Sequence, residues 1–350
     1  MGRRRGADRL GCCRRGRVPG QGSGVRLRTV SCQQPGWRRI RHGRGFRYLD
    51  EHGEPLAADD VERVRDLVIP PAWTDVWICP YPRGHLQAVG TDDAGRRQYL
   101  YHPQWREQRD LEKFERVTAL ASTFPGMRRK LRHQLLAPAG DDDVERRRVL
   151  AAGVRLIDLG CFRPGSEESA DEFGSHGLTT LERHHVRREH SVLMFRFSGK
   201  AGIEHEVLVE DPNLVSALES ALKRPGGARL LASKVGARWK PITAEELNEH
   251  IRAVTGLDMT AKDFRTWHAT VTAAVVLAES PIPTSASGRK KRIREAVVAA
   301  SELLGNTPTV ARSAYVDPRI IDLFESGTVL DPIPGGSDAL DRAVVRLLND

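Results

Sequence analysis

The chain has 350 residues, 39% of them apolar, which is enough for two ordinary domains. Its longest apolar runs, such as AAVVLA at 273–278, are far too short to span a bilayer, and no apolar segment follows the N-terminal arginines as a secretory signal requires, so a cytoplasmic protein is expected. The net charge of +9 is concentrated at one end: residues 1–47 hold fourteen Arg and one Asp, a net of +13, which leaves −4 on residues 48–350. The basic end suits contact with a polyanion, and any claim about the remainder needs local arrangements of residues.

Residues 1–25 are rich in Gly and Arg, lack apolar periodicity and read as a disordered basic arm. Residues 26–108 read as a small β-rich domain. GFRYLDEHGEPL shows two short strand-like runs around a turn. DDVERVRDLV is an amphipathic helix stopped by Pro70 and Pro71. DVWICPYPRGHLQAVGTDDAGRRQYLYH then alternates strand and turn three times. From 109 to 330 the period is helical, through 110–136 and 143–160, with one β-hairpin at SVLMFRF-SGKAG-IEHEVLV. Helices resume at 211–223. The next opens with the capping box Thr243-x-x-Glu246 and stops at Gly256. Another starts at Thr260, and a further one spans about 289–304 and ends at Gly305. A short helix follows, with Thr307 as N-cap and Pro308 at its first position. Residues 331–350 read as a linker, DPIPGG, and a closing amphipathic helix. The expected fold is α+β: a small β-rich N-terminal domain and a larger, mainly α-helical domain containing a β-hairpin.

Familiar cofactor signatures are missing. There is no GxxxxGK[ST], no GxGxxG after a strand, no HExxH and no GxSxG. The five cysteines, Cys12, Cys13, Cys32, Cys79 and Cys161, include no CxxC pair. His184, His185 and His190 lie in a charged segment that reads as solvated. Neither cofactor nor metal is expected. What stands out is positive charge in odd settings. Lys200, one of nine lysines in an Arg-dominated chain, sits in the hairpin turn; Arg163 sits between an apolar helix end and a Pro-Gly turn, where it could cap that helix; Arg265 falls in the first turn of the 260–280 helix, the end that disfavours a cation unless an anion is shared there. Two guanidiniums, a lysine, an asparagine and a tyrosine suit phosphoryl transfer. Guanidiniums match phosphate oxygens with a planar fork, a phenol flanked by cations can act as nucleophile, and a lysine can protonate a sugar-oxygen leaving group.

Six segments, in order, resemble the small type IB DNA topoisomerases of bacteria and poxviruses: PGWRRIRHGRGFRYLD, GTDDAGRRQYLYHPQW, CFRPGSEESADEFGSHGLTTL, FRFSGKAGIEHEV, KDFRTWHATVTAA and LLGNTPTVARSAY. The resemblance implies a tyrosine recombinase/topoisomerase IB-like catalytic domain that relaxes supercoiled double-stranded DNA through a 3′-phosphotyrosyl intermediate, without ATP or metal. It implies a monomer gripping DNA as a two-domain clamp in the cytoplasm, at the nucleoid. By position in the motifs, Tyr315 falls at the nucleophile, Arg163 and Arg265 at the two catalytic arginines, and Lys200 at the general acid. Asn306 falls where viral members carry His and some bacterial members Asn, which restricts it to oxyanion stabilisation. Pro164 departs from the Ile or Met common after the first arginine. Gln98, Tyr99 and Tyr101 match DNA-contacting residues, and Arg96 and Arg97 are expected on phosphate.

Two other readings compete. A tyrosine recombinase shares the catalytic set, yet usually has His three residues before the second arginine and directly after it, where this chain has Lys262 and Thr266. A non-catalytic DNA-binding protein would tolerate loss of the Tyr315 hydroxyl.

Overall fold

A computed structural model describes residues 26–138, 140–224 and 226–350; the expected basic arm over 1–25 lies outside the described residues. The chain forms two compact units, one ending at Arg109 and one starting at Asp110. No helix among the described residues is long and apolar enough to cross a membrane.

The first unit is built on β1 (Trp37–His42), β2 (Gly45–Leu49), β3 (Thr74–Ile78), β4 (Leu86–Thr91) and β5 (Arg97–Tyr101), with helix α1 (Ala58–Asp66) between β2 and β3. The sheet order is β2-β1-β3-β4-β5, antiparallel throughout. Inward residues Val76, Ile78 and Ala88 pack with Val64 of α1 and Ile69 behind it. One expectation fails here. GFRYL does not pair forward within its own run; it pairs back with WRRIRH, and only a single bridge joins Leu49 to Pro55. The cause is local. The Asp50 carboxylate accepts the N–H groups of His52 (2.9 Å) and Glu54 (2.8 Å), which turns the chain, and Pro55 has no N–H to extend a ladder.

The second unit comprises the rest of α2 (Pro103–Ala121), then α3 (Phe124–Leu135), α4 (Asp142–Gly160), α5 (Glu167–Phe173), β6 (Val186–Glu189), β7 (Val192–Ser198), β8 (Glu204–Glu210), α6 (Pro212–Lys223), β9 (Ala232–Val235), β10 (Arg238–Pro241), α7 (Ala244–Thr255), α8 (Ala261–Ala278), α9 (Ala286–Leu304), α10 (Pro308–Ala314), α11 (Pro318–Ser326) and α12 (Ser337–Asn349). The architecture is thus α+β with a helical second unit. α8 is buried along most of its length, with Asp263, Arg265, Thr266 and Thr270 among its buried residues, as befits a central helix that carries polar groups into the core. Trp267 and Phe264 of α8 are fully buried, and Phe264 stacks on Phe124 of α3 at 5.0 Å.

Three features differ from the sequence reading. The hairpin is a three-stranded sheet, β6-β7-β8, because VRRE, expected to be solvated, pairs with VLMF and buries Val186. A second ribbon, β9-β10, joins four-residue strands too short and polar to show a period. The short helix α5 starts at Ser166, whose hydroxyl accepts the Ser169 N–H. Helix ends, by contrast, follow the chain's own signals. Thr243 and Glu246 form their capping box, Gly256 (φ 75°) and Gly305 (φ 57°) take the left-handed residue after a helix, and Thr307 caps α10 with Pro308 behind it. The acidic run at 141–145 is the capped first turn of α4, where negative charge complements the helix dipole.

α12 belongs to the same core, through Val344 and Leu348. Its buried Asp341 accepts the Trp267 indole N–H at 2.7 Å and an Arg128 N–H at 2.6 Å. Arg128 also bonds both Asp158 oxygens at 2.9 Å and Asp338 at 2.7 Å. Burial works against the Asp158 carboxylate, but His268 and Arg128 outweigh it and hold its pKa far below the usual range.

Candidate active site

Arg163 follows the end of α4 and is fixed by its backbone. Its carbonyl accepts the Leu178 N–H (2.8 Å), and the Pro164 carbonyl accepts both the N–H (2.8 Å) and hydroxyl (2.9 Å) of Thr179. Gly165 (φ 92°) and Gly177 make this approach possible: a Cβ on Gly177 would lie 2.4 Å from the Gly165 Cα. Proline at 164 therefore leaves the loop anchored, through its oxygen. The side chain does not cap α4. It crosses to the end of α9, where one terminal nitrogen donates to the Gly305 carbonyl (3.2 Å) and to the Asn306 Oδ1.

Arg265 takes the capping role instead. It is the fifth residue of α8, one position beyond the expected first turn, and is buried. Its guanidinium donates to the carbonyl of Cys161, the residue closing α4, and to that of Leu304, the last residue of α9, at 2.8 Å. The cation therefore sits at two negative helix C-termini, not at a positive N-terminus, and this removes the apparent conflict with the helix dipole. Its charge also bears on its neighbours. Burial and Arg265 lower the Arg163 pKa while Tyr315 opposes them; burial raises the Cys161 thiol to about 12.

Tyr315 closes α10, and its ring lies 5.5 Å from the Arg265 guanidinium carbon. α8 holds it from behind. The Thr270 hydroxyl lies 3.3 Å from the Tyr315 carbonyl and accepts the Asp317 N–H at 3.1 Å. Arg163, Arg265 and Tyr315 line one cavity of about 400 Å³, together with Lys262. A guanidinium has five N–H donors. Among the described residues two are engaged on Arg163 and two on Arg265, leaving three on each. The Asn306 Nδ2 is buried with no hydrogen-bond partner among them. An amide N–H so placed can donate to an oxygen of a bound anion.

Four of the five expected residues thus converge from α4, α8, the α9–α10 junction and the end of α10. Lys200 stands apart. It is exposed in the β7–β8 turn, with no hydrogen-bond or ion-pair partner among the described residues. The sequence reading missed His205, which packs against this site from β8. Burial, Arg163 and Arg265 lower its pKa, opposed by Glu204. A signal was present: in EHEV the alternation turns His205 inward with Val207.

In the first unit, β5 sorts the remaining candidates. Arg97, Tyr99 and Tyr101 share its exposed face, with the two rings stacked at 6.2 Å. Gln98 faces the other way and donates to Asp92 at 2.9 Å. Arg96 pairs with the same carboxylate at 2.9 Å; backbone and side-chain bonds from Arg96 lower the Asp92 pKa to about 2.

Residues 102–322 match the family model of the eukaryotic DNA topoisomerase I catalytic core, and residues 45–92 that of the bacterial DNA topoisomerase IB N-terminal domain. The chain belongs to the type IB DNA topoisomerases, and it is accordingly an isomerase acting on DNA. DNA topoisomerase 1B of Acanthamoeba polyphaga mimivirus is 26% identical over 286 residues, covering 80% of this chain and 84% of that protein. DNA topoisomerase 1B of vaccinia virus (strain Copenhagen) is 22% identical over 251 residues, covering 70% and 74%. A solved complex of the XerH site-specific recombinase with palindromic difH substrate is 14% identical, with a TM-score of 0.35. It covers 68% of this chain, which spans 59% of the recombinase; a likeness that loose carries no argument.

Proposed function

We propose that Tyr315 is the nucleophile of this topoisomerase. Its phenol gives up its proton to solvent as its oxygen attacks a DNA backbone phosphorus, the bond to the 5′ oxygen breaks, and the strand is held as a 3′-phosphotyrosyl ester. Arg163, Arg265 and Asn306 donate to the nonbridging oxygens, where negative charge builds in the transition state. Lys200 supplies the proton that leaves with the 5′-hydroxyl, once its turn closes on the bound strand. The duplex rotates about the intact strand, and the 5′-hydroxyl attacks back and releases the tyrosine. The ester conserves the energy of the broken linkage, so the cycle needs no ATP, and the two guanidiniums provide the cationic stabilisation. The reading rests on one observation above all: Arg163, Arg265 and Tyr315 line one cavity, and among the described residues three N–H donors on each guanidinium are unengaged.

Tyr99 and Tyr101 offer flat faces to bases, and Arg97 a charge to phosphate, on the β5 surface. The enzyme acts as a monomer, with both units gripping one duplex as a clamp, in the cytoplasm at the nucleoid. The experiment is relaxation of a supercoiled plasmid in EDTA without ATP, with denaturant-trapped adducts analysed by mass spectrometry. The nucleotide should map to Tyr315, and Tyr315→Phe should bind duplex DNA without forming an adduct. An adduct on another residue, or relaxation by Tyr315→Phe, refutes the assignment. Joining of specific site pairs without relaxation would favour a recombinase.

A further inference from the structure

His205 touches the chain beside two of the proposed site residues and reaches a third through one intervening ring. It lies opposite Phe197 in the β7–β8 register, with the two rings stacked at 5.2 Å and 14°. Phe197 in turn stacks on Phe162 at 5.9 Å and 23°, and Phe162 immediately precedes Arg163. The ring edges of His205 meet two glycines. A Cβ on Gly199 would lie 2.5 Å from its Cδ2, and one on Gly305 2.1 Å from its Cε1. Gly199 immediately precedes Lys200, and Gly305 immediately precedes Asn306. No side chain fits at either position, so the imidazole itself sets the spacing between the β7–β8 turn and the α9–α10 junction.

We propose that His205 is a positioning residue: the terminal ring of a Phe162–Phe197–His205 stack that holds the Lys200 turn in register with Arg163 and Asn306. Its part is shape, not proton transfer. A neutral ring suits the place, since a charged one would face Arg163 and Arg265, with only Glu204 opposing them. The proposal rests on the reading of Lys200 as proton donor. It adds that the donor's reach is set by a residue that never touches DNA.

The experiment measures single-turnover cleavage by the full chain of two duplexes, one with the natural 5′-oxygen leaving group and one with 5′-sulfur there, which leaves without a proton. The variants are Lys200→Ala, His205→Ala, His205→Phe and Gly199→Ala, each with its melting curve recorded. Gly199 has φ −99°, which an alanine tolerates, so that variant perturbs the contact from the turn side and covers the case in which His205→Ala fails to fold. His205→Ala and Gly199→Ala should cleave the oxygen duplex about 10–100-fold more slowly than wild type, no more than the low end of a lost general acid, and recover on sulfur. His205→Phe, which keeps a flat ring, should cleave both at close to the wild-type rate. Equal slowing of His205→Ala or Gly199→Ala on both duplexes, while Lys200→Ala is rescued, overturns the proposal and leaves Lys200 as the acid. Failure of sulfur to rescue Lys200→Ala overturns the reading of Lys200 and the proposal with it. A His205→Phe defect as large as that of His205→Ala shows that the ring nitrogens matter and refutes the spacer role.

Discussion

Arg265→Lys keeps the charge and removes the fork, and it separates the two things the residue does. The guanidinium spans the Cys161 carbonyl at the end of α4 and the Leu304 carbonyl at the end of α9. A lysine ammonium is a single point with three donors, and it cannot serve two oxygens presented by different helices as a planar fork does. One charged hydrogen bond is lost and one carbonyl is left buried, a cost of about 2–3 kcal/mol. In a unit of this size each kcal/mol moves the melting point about 2–4 °C, so the variant should melt roughly 4–12 °C lower. Catalysis should fall further. In the proposed mechanism the unengaged N–H groups of Arg265, which lines the Tyr315 cavity, act in the transition state, and removing one such donor costs on the order of 10²–10³ in rate. The assay pairs a thermal melt with single-turnover cleavage of duplex DNA well below the variant's melting point, with DNA affinity measured alongside. Wild-type melting would show that the two carbonyls do not depend on the fork. Wild-type cleavage would show that the remaining donors do not meet the phosphate. Either result refutes that half of the reasoning.

Two further outcomes follow from buried groups away from the phosphate. Asp341→Ala leaves the Trp267 indole N–H unbonded and takes one carboxylate from Arg128. Arg128 keeps Asp158 and Asp338, so the cost is that of the unbonded indole and one lost charged hydrogen bond, about 2–3 kcal/mol; the melting point should drop, and an unchanged melt would mean the Asp341 bonds do not help to hold α12. His250 is buried on Gln134 (2.9 Å), and burial lowers its pKa to about 4. The unfolded chain protonates this histidine near pH 6.5 while the folded one resists, so its stabilisation is complete above that pH and is lost as pH falls toward 4, by about 3 kcal/mol. Unfolding titrations of wild type and His250→Gln should show a shallower acid slope for the variant; parallel slopes would place the acid sensitivity elsewhere.

Much of this protein is written locally in its chain. Thr243 with Glu246, Thr307 with Pro308, and Gly256 and Gly305 mark helix ends that the structure reproduces, because a cap is satisfied by N–H and carbonyl groups within a few residues of it. The segments carrying Arg163, Lys200, Arg265, Asn306 and Tyr315 stand out in the chain by their resemblance to the family's motifs, each a short continuous run. What surrounds those side chains was not legible there. Whether Arg163 caps α4 or reaches Asn306, 143 residues away, depends on where α9 ends in space. Arg265 looked misplaced at a helix start until two distant helix C-termini were brought to it. His205 acquires a role only when Gly199 and Gly305 close on its ring, and Gln98 parts from Tyr99 only once β5 has two faces. Local signals rest on hydrogen bonds that the backbone makes with its near neighbours. The register of one segment against another is decided by long-range packing and charge satisfaction, which only the folded chain expresses.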